Sequence, residues 1–187
     1  GLFEVKSDLE NLTFKYRCEL EYGDIAQWLE QDEAQNRERL QEFCKDVQGT
    51  LRDHGIQCEV KTFWRRPYSI WRRMKQSNLD FWHLPNRYYI RITFWEDTLD
   101  DPLTDKETCL KIYNLLTRDF RERPGRFINQ IEQPKENSYQ CPRLLLLSSQ
   151  GIWEDVQICS EGMVRASQVG CINEIGNNIG NWLKRFR

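Results

Sequence analysis

Residues 61–75 read KTFWRRPYSIWRRMK, and the prediction of both fold and function starts from this stretch. It holds six lysines and arginines, four aromatic residues and no acid. Pro67 suits the first turn of a helix, where the N–H that proline lacks would have no helical partner. The stretch therefore predicts a short helix over residues 68–75, with Ile70 and Met74 turned toward the core.

Positive charge is concentrated in this part of the chain. Residues 1–60 carry a net charge of −7, residues 61–91 carry +7, and the whole chain carries −2. A general nucleic-acid-binding domain is usually basic overall. The uneven charge instead favours a compact polyanion, such as a nucleoside triphosphate or the end of an RNA. Composition leaves a solvated helix face with buried aromatic residues equally open.

The flanking segments predict a mixed domain. Residues 24–53 carry apolar side chains at three- and four-residue spacing and predict a helix, in which residues 30–39 form a solvated polar face. Residues 87–95 are rich in β-branched and aromatic residues and predict a central strand. Residues 104–121 predict another helix, and residues 144–160 predict a hairpin. The mixture predicts an α/β or α+β fold, with a largely antiparallel central sheet flanked by helices.

The chain is long enough for one domain with a substantial core. We divide it into an N-terminal helical segment, residues 1–55, and a main unit, residues 56–187, which together form one compact body. Residues 56–61 alternate between apolar and polar side chains and predict a strand. Residues 126–143 read as irregular, and the tail, residues 162–187, reads as mostly helical.

The seven cysteines show no C-x-x-C spacing, and the chain has only two histidines, so a zinc site is not predicted. We interpret the cysteines as reduced thiols of a cytoplasmic protein. No apolar run approaches the about 20 residues that a membrane-spanning helix needs. The chain is therefore expected to have no membrane partner.

Several residues are candidates for chemistry. Asp155 and Gln157 point to the same side of a predicted strand, where an acid can act as a general base or a metal ligand; an exposed hairpin carboxylate is the alternative. Tyr139 lies in an irregular segment and can stack on a purine, the alternative being an ordinary surface tyrosine. Three aromatic residues near the basic helix are further candidates for stacking on a base: Phe63, Trp64 and Trp71.

Four blocks of the sequence, in this order and at these spacings, resemble the RelA/SpoT synthetase domain. The family's opening pattern, V-K-[ST]-R-x-K-[ST]-x-x-S-I-x-x-K-M, aligns with residues 60–74. The second, D-x-x-x-x-R-[VI], aligns with residues 86–92. The third, R-F-K-D-Y-I-x-x-P-K-x-N-G-Y-Q-S-x-H, aligns without a gap with residues 126–143. The fourth, E-I-Q-[IV]-R-T, aligns with residues 155–160.

The resemblance, over about residues 56–175, implies a RelA/SpoT nucleotidyltransferase-like fold and a role for each matching position. Seven residues stand where the family binds ATP and its phosphates: Lys61, Phe63, Arg65, Arg66, Ser69, Arg72 and Arg73. Tyr139 would stack on the guanine base, and Gln157 would lie beside the reacting centre. Asn86 and Asp155 stand at the catalytic and magnesium-binding positions. The third block adds Lys135, Asn137 and Arg143.

Several positions depart from these patterns. Asn86 replaces the magnesium-binding Asp, Asp155 the catalytic Glu, Arg143 the His, Phe63 the leading Arg, and Ile128-Asn129 the K-D pair. Mg²⁺ prefers hard anionic oxygen, whereas an asparagine offers a neutral amide. A carboxylate set back by about 1 Å can lower a rate ~100-fold. We therefore expect a weak or altered enzyme. Whether Asn86 is natural or an introduced inactivating change stays open, because Asp and Asn are nearly isosteric.

The resemblance implies three candidate functions. The first is an ATP- and Mg²⁺-dependent GTP diphosphokinase, which moves pyrophosphate from ATP to the 3′-hydroxyl of GDP or GTP and makes the alarmone of the stringent response. The second is a toxin-type enzyme that modifies the 3′ end of tRNA, which the added Arg66 and Arg143 favour. The third is a catalytically inactive nucleotide-binding or interaction module, which the departures favour. A homo-oligomer and an antitoxin partner are left open.

Overall fold

The computed structural model describes residues 2–95, 105–125 and 141–165. The helices are α1 (Leu2–Arg17), α2 (Glu19–Asp53), α3 (Pro67–Ser77) and α4 (Asp105–Asp119). The strands are β1 (Cys58–Trp64), β2 (Tyr88–Phe94), β3 (Arg143–Leu147) and β4 (Trp153–Ser160). Residues 161–165 are also helical. Each predicted element within the described residues is present, although α2 begins five residues earlier than expected and β1 runs on to Trp64.

The strands form one sheet in the order β1-β2-β4-β3. The pairs β1–β2 and β3–β4 are antiparallel, and β2–β4 is parallel. The prediction of a mixed, largely antiparallel sheet with a β3–β4 hairpin is therefore confirmed, and β2 is an inner strand as predicted. β1 ends, and β2 and β4 begin, at the same end of the sheet.

One face of the sheet packs against α2 and α4 and forms the main hydrophobic core. Alternate strand residues supply it, as the two-residue period of a strand requires. Its members include Val47, Leu51, Ile90, Ile92, Ile112, Leu116, Val156 and Ile158. The opposite side, which we call the far face, carries Phe63, Tyr89, Arg91, Asp155 and Gln157.

A second hydrophobic core joins α1, α2 and α3. It consists of Phe14, Ile25, Leu29, Ile70, Phe81 and Leu84. Ile70 is fully buried and Met74 packs against this core, as the sequence predicts. α3 is thereby anchored by its apolar side. Its basic residues Arg72 and Lys75 are exposed, and Arg73 is half-buried.

The prediction of a solvated polar face over residues 30–39 is wrong for Asp32 and Arg39. Asp32 is 2% exposed, and the Arg39 side chain is 9% exposed. Both are buried because each forms an ion pair with a partner on the sheet or the loop before it, and a buried charge is stable only when it is paired.

The prediction that all the cysteines are reduced is also wrong, because Cys141 and Cys159 form a disulfide. Their backbones are held close by the hydrogen bond from the Ile158 N–H to the Pro142 carbonyl, 3.0 Å long. Four other cysteines are free as expected: Cys18, Cys44, Cys58 and Cys109. Cys171 and most of segments 126–143 and 162–187 lie outside the described residues, and a cytoplasmic location stays a prediction.

None of the described helices is both long enough and apolar enough to span a bilayer.

We predict that the Cys141–Cys159 disulfide stabilises the fold measurably. The bond closes a loop with a sequence separation of 18 residues, and closing a loop of this size contributes about 3 kcal/mol. Urea unfolding of the Cys159→Ser variant should therefore give a free energy of unfolding lower by about 3 kcal/mol. Cys18→Ser, which removes a free, half-buried thiol, is the control and should lower the free energy of unfolding by much less. Equal unfolding midpoints for the parent and Cys159→Ser would contradict the prediction.

Candidate anion-binding site

The turn between β1 and α3 places Arg65 at the end of the sheet. Its backbone N–H donates to the Arg87 carbonyl at 3.0 Å, and its Nε donates to the Asn86 carbonyl at 2.7 Å. Asn86 itself has a left-handed backbone, with φ of 59°, which asparagine tolerates better than most residues. The first and second sequence blocks are thus joined directly.

Three arginines lie in one another's electrostatic field. Burial, then the charges of Arg73 and Arg143, lower the pKa of Arg65 to about 10. Burial, then the charges of Arg143 and Arg72, also lower the pKa of Arg73. The negative charge of Asp155 acts in the opposite sense on both pKa values. Residues from the β1–α3 turn, α3, β3 and β4 therefore lie within electrostatic range of one another.

Neighbouring arginines of this kind favour the binding of an anion. A pKa of about 10 still leaves Arg65 charged at neutral pH, so the three arginines repel one another there. Guanidinium groups bind phosphate bidentately. Ser69 lies in the first turn of α3, which contains no acid, and a helix N-terminus also favours phosphate. We name Arg65, Arg73 and Arg143 the arginine cluster.

Asp155 lies beside this cluster but is already paired. Arg143 Nη2 donates to Asp155 Oδ2, and Arg143 Nε donates to Asp155 Oδ1 at 3.3 Å. Asp155 is 8% exposed. Gln157 lies on the same face and accepts a bond from Arg91 Nε at 3.5 Å, so the predicted common orientation of Asp155 and Gln157 is confirmed. Arg143 holds both oxygens of the predicted base.

The described residues at the two predicted metal-binding positions, Asn86 and Asp155, do not by themselves fit a magnesium ion. Asp155 is neutralised by Arg143, and Asn86 supplies only an amide. Among the described residues, no group of three or more His, Cys, Asp or Glu side chains could hold a metal ion. Mg²⁺ prefers carboxylate oxygen, and Asn86 and Asp155 together offer one carboxylate, which Arg143 already pairs.

The aromatic residues divide between the two sides of the sheet. Phe63 lies on the far face and stacks on Tyr89, with ring centroids 5.5 Å apart and planes 12° apart. Arg65 lies over the Tyr89 ring at 5.3 Å, and Arg91 lies over the Phe63 ring at 4.8 Å. Our sequence reasoning missed Tyr89 and the side chain of Arg91. Their alternation in β2 was the available signal, because it places both on the side of Asp155.

Trp64 and Trp71 do not lie at this site. Trp64 packs on Tyr88, with centroids 4.8 Å apart, against the main core. Trp71 packs on Phe14 at 5.1 Å in the second core. Strand alternation and the apolar side of α3 turn the two indoles toward the cores. This favours the alternative of buried aromatic residues, and stacking on a base stays a prediction.

The other predicted site residues are spread around the cluster. Lys61 pairs with Glu59 at 2.6 Å on the exposed part of β1. Arg66 pairs with Asp8 of α1 and is directed to that helix. Arg72 lies near the site, where, besides burial and the charge of Arg143, its charge lowers the pKa of Arg73. Three candidates lie outside the described residues: Lys135, Asn137 and Tyr139.

Comparison with known sequences identifies the family. The family model described as "Region found in RelA / SpoT proteins" matches residues 64–176. This chain belongs to the RelA/SpoT family. It is 25% identical over 170 residues to the bifunctional (p)ppGpp synthase/hydrolase SpoT of Escherichia coli (strain K12). That match covers 91% of this chain and 23% of SpoT. It is 26% identical over 170 residues to the GTP pyrophosphokinase of the same strain, covering 91% of this chain and 22% of that protein.

Solved structures share the RelA/SpoT fold. Small alarmone synthetase 1 of Bacillus subtilis, bound to its product pppGpp, superposes with a TM-score of 0.52 at 16% identity, over 85% of this chain and 99% of that one. A GTP pyrophosphokinase family protein of Streptococcus pneumoniae gives a TM-score of 0.56 at 14% identity, over 85% and 90% of the two chains. The predicted fold class is therefore confirmed. The chain spans about a quarter of the length of the curated relatives it matches.

We predict that inorganic tripolyphosphate raises the melting temperature of this RelA/SpoT chain, and more so at low salt. Arg73→Gln should weaken tripolyphosphate binding about 10- to 100-fold, the effect of losing one charged hydrogen bond. Without the anion, the same variant should melt slightly higher than the parent, because it removes repulsion within the arginine cluster. Thermal melts and calorimetry measure both effects.

The matched control for this experiment is Arg52→Gln, which removes an exposed arginine at the end of α2. It should keep the parent's response to tripolyphosphate. If Arg52→Gln and Arg73→Gln weakened binding equally, the anion would be attracted by net charge and not by the arginine cluster.

Proposed function

We propose that this chain binds the polyphosphate of a nucleotide between α3 and the far face of the sheet, and transfers pyrophosphate from ATP to the 3′-hydroxyl of a guanine nucleotide slowly. The observation that carries the proposal is that Arg143 donates to both Asp155 oxygens and Arg65 to the Asn86 carbonyl, and that, besides burial, the charge of nearby Arg73 lowers the pKa of Arg65. Family membership supports the class of reaction. One relative is named a GTP pyrophosphokinase, and one structural neighbour is bound to pppGpp.

The proposed step is a substitution at the β-phosphorus of ATP. The 3′-oxygen of the acceptor forms a bond to the β-phosphorus, the bond from that phosphorus to the oxygen bridging the α-phosphate breaks, and AMP leaves. Asp155 would take the proton of the 3′-hydroxyl. The arginine cluster would hold the phosphates in line and offset their charge, which is the main task of a protein in phosphoryl transfer.

The same geometry gives the reason for a slow reaction. An acceptor hydroxyl must compete with Arg143 for the Asp155 carboxylate, because Arg143 already donates to both of its oxygens. Asn86 adds no negative charge, so the residues present do not hold a divalent cation as an acidic pair would. Among the described residues, the site keeps groups suited to phosphate, while the groups suited to activating the hydroxyl are weakened.

A second candidate is a non-catalytic nucleotide-binding module of the same fold. The Arg143–Asp155 ion pair favours it, because an arginine in place of the family's histidine stabilises the charged form of the predicted base and so makes it a weaker proton acceptor. tRNA as the acceptor has less support. Arg66, one of the two residues that suggested tRNA, is paired with Asp8. Stacking of the acceptor base on Tyr139, an antitoxin partner, a homo-oligomer and a cytoplasmic location stay predictions.

We predict that turnover rises when the family's acids are restored. The protein is incubated with MgATP labelled at the γ-phosphate and with GDP or, in a parallel reaction, tRNA, and transfer of the label to each acceptor is measured. The parent should transfer label slowly, and the double variant Asn86→Asp/Asp155→Glu should be about 100-fold faster, because a correctly placed carboxylate is worth about that much. Adding Arg73→Gln should abolish the gain, whereas adding Arg52→Gln should not.

The outcomes separate the candidates. Nucleotide binding without turnover, in the parent and in the double variant, would establish the non-catalytic module. Label that enters tRNA and not GDP would establish the toxin-type acceptor. Neither binding nor turnover in any variant would overturn the proposed function.

A further inference from the structure

A buried aspartate of α2 anchors the loop before β2. Arg87 Nε donates to Asp32 Oδ2 at 2.6 Å, and Arg87 Nη2 donates to Asp32 Oδ1 at 3.2 Å. The remaining nitrogen, Arg87 Nη1, donates to the carbonyls of Phe81, Trp82 and Leu84 at 3.4, 3.3 and 2.9 Å. One guanidinium therefore ties three loop carbonyls and the start of β2 to α2.

The network continues along the same side of α2. Asn36 Nδ2 donates to Asp32 Oδ1 at 2.9 Å. Asn36 Oδ1 accepts from Arg39 Nη2 at 3.0 Å and from Arg39 Nε at 3.3 Å. Residues three and four positions apart lie together on a helix surface, so Asp32, Asn36 and Arg39 form one continuous chain of bonds.

The other end of the network is a fully buried carboxylate on β4. Arg39 Nη1 pairs with Glu154 Oε1, and Glu154 is 0% exposed. Arg39 Nη2 donates to the Tyr88 hydroxyl at 2.9 Å, and that hydroxyl donates to Glu154 Oε2 at 2.9 Å. Burial and the charge of Glu154 raise the pKa of Tyr88 to about 12, so the hydroxyl keeps its proton and donates it.

The two ends of the network are the chain neighbours of the two predicted catalytic residues. Arg87 follows Asn86, and Glu154 precedes Asp155. Because successive strand residues point to opposite faces, Glu154 lies on the face that packs against α2 and α4, while Asp155 lies on the far face. The backbone of residues 86–87 holds Arg65.

Asp155, at the other end, holds Arg143. The network on the helix-covered face of the sheet thus connects two arginines of the site on the far face, Arg65 and Arg143. Buried polar chains of this kind are costly unless every member is bonded, and they often specify one geometry where apolar residues would allow several.

We propose that this network sets the spacing of Arg65 and Arg143, and with them of Asn86 and Asp155, so that Asp32, Arg39 and Tyr88 are positioning residues for the anion site. It rests on the proposed function for its consequence, the binding of a polyphosphate. The local geometry that it fixes can be measured independently of any ligand.

The test uses two variants with matched controls. Asp32→Asn keeps the shape and removes the charge that holds Arg87; its control is Asp46→Asn, an exposed aspartate of α2. Tyr88→Phe removes one hydroxyl and retains the ring, so the protein should fold even if Asp32→Asn does not. Its control is Tyr113→Phe, which removes the hydroxyl that donates to Glu122 at 2.9 Å.

Two quantities are measured well below the melting temperature: the affinity for inorganic tripolyphosphate and the hydrogen exchange of the Arg65 amide. Asp32→Asn should weaken tripolyphosphate binding about tenfold or more and speed exchange of the Arg65 amide, while the amide of Ile112 in α4 stays protected. Tyr88→Phe should show the same two changes to a smaller degree. Both control variants should match the parent.

The results distinguish a positioning role from a merely structural one. If Asp32→Asn and Tyr88→Phe lowered only the melting temperature, with parental affinity and Arg65 exchange, the inference would be overturned. If the parent did not bind tripolyphosphate, the proposed function would fail, and the Arg65 amide alone would decide the positioning. Faster exchange at Arg65 in the network variants, and not in the controls, would then still support it.

Discussion

The parallel pairing of β2 with β4 is the contact on which the rest of this structure depends. It sets Ile90 opposite Val156 and Arg91 opposite Gln157, although these segments are far apart in the chain. The pairing puts the starts of both strands at the end of the sheet where β1 finishes. Asn86, Asp155 and Arg65 therefore meet at one end without any of them being near another in sequence.

Both faces at that end of the sheet carry charge, and the two arrangements have opposite electrostatic character. Under the helices, Asp32 and Glu154 each neutralise an arginine, and the Asn36 and Tyr88 side chains complete the bonds. On the far face, Asp155 forms an ion pair with Arg143, and its charge also acts on Arg65 and Arg73. In the first arrangement each charged group has an opposite charge as its partner. The described residues of the second carry more positive than negative charge, which suits the proposed binding of a polyphosphate.

Much of the candidate site followed from local patterns. The basic residues after β1, the proline that begins α3 and the alternation in β4 predicted Arg65, Arg73 and the common side of Asp155 and Gln157. Other features could not be predicted, since they depend on partners distant in sequence. A buried Asp32 reads as a polar helix residue until Arg87 is placed beside it, and Cys141 reads as a thiol until β4 brings Cys159 to it.

The sequence by itself determined the helices, the strands, the family and the concentration of positive charge, because each is encoded in neighbouring residues or in ordered motifs. Only the tertiary structure decided what the charges do. It turned Trp64 and Trp71 inward, paired Arg66 with Asp8 and closed Arg143 onto Asp155. The physical reason is that the energy of a charge depends on its burial and its nearest opposite charge, and both are set by contacts between segments that the sequence keeps apart.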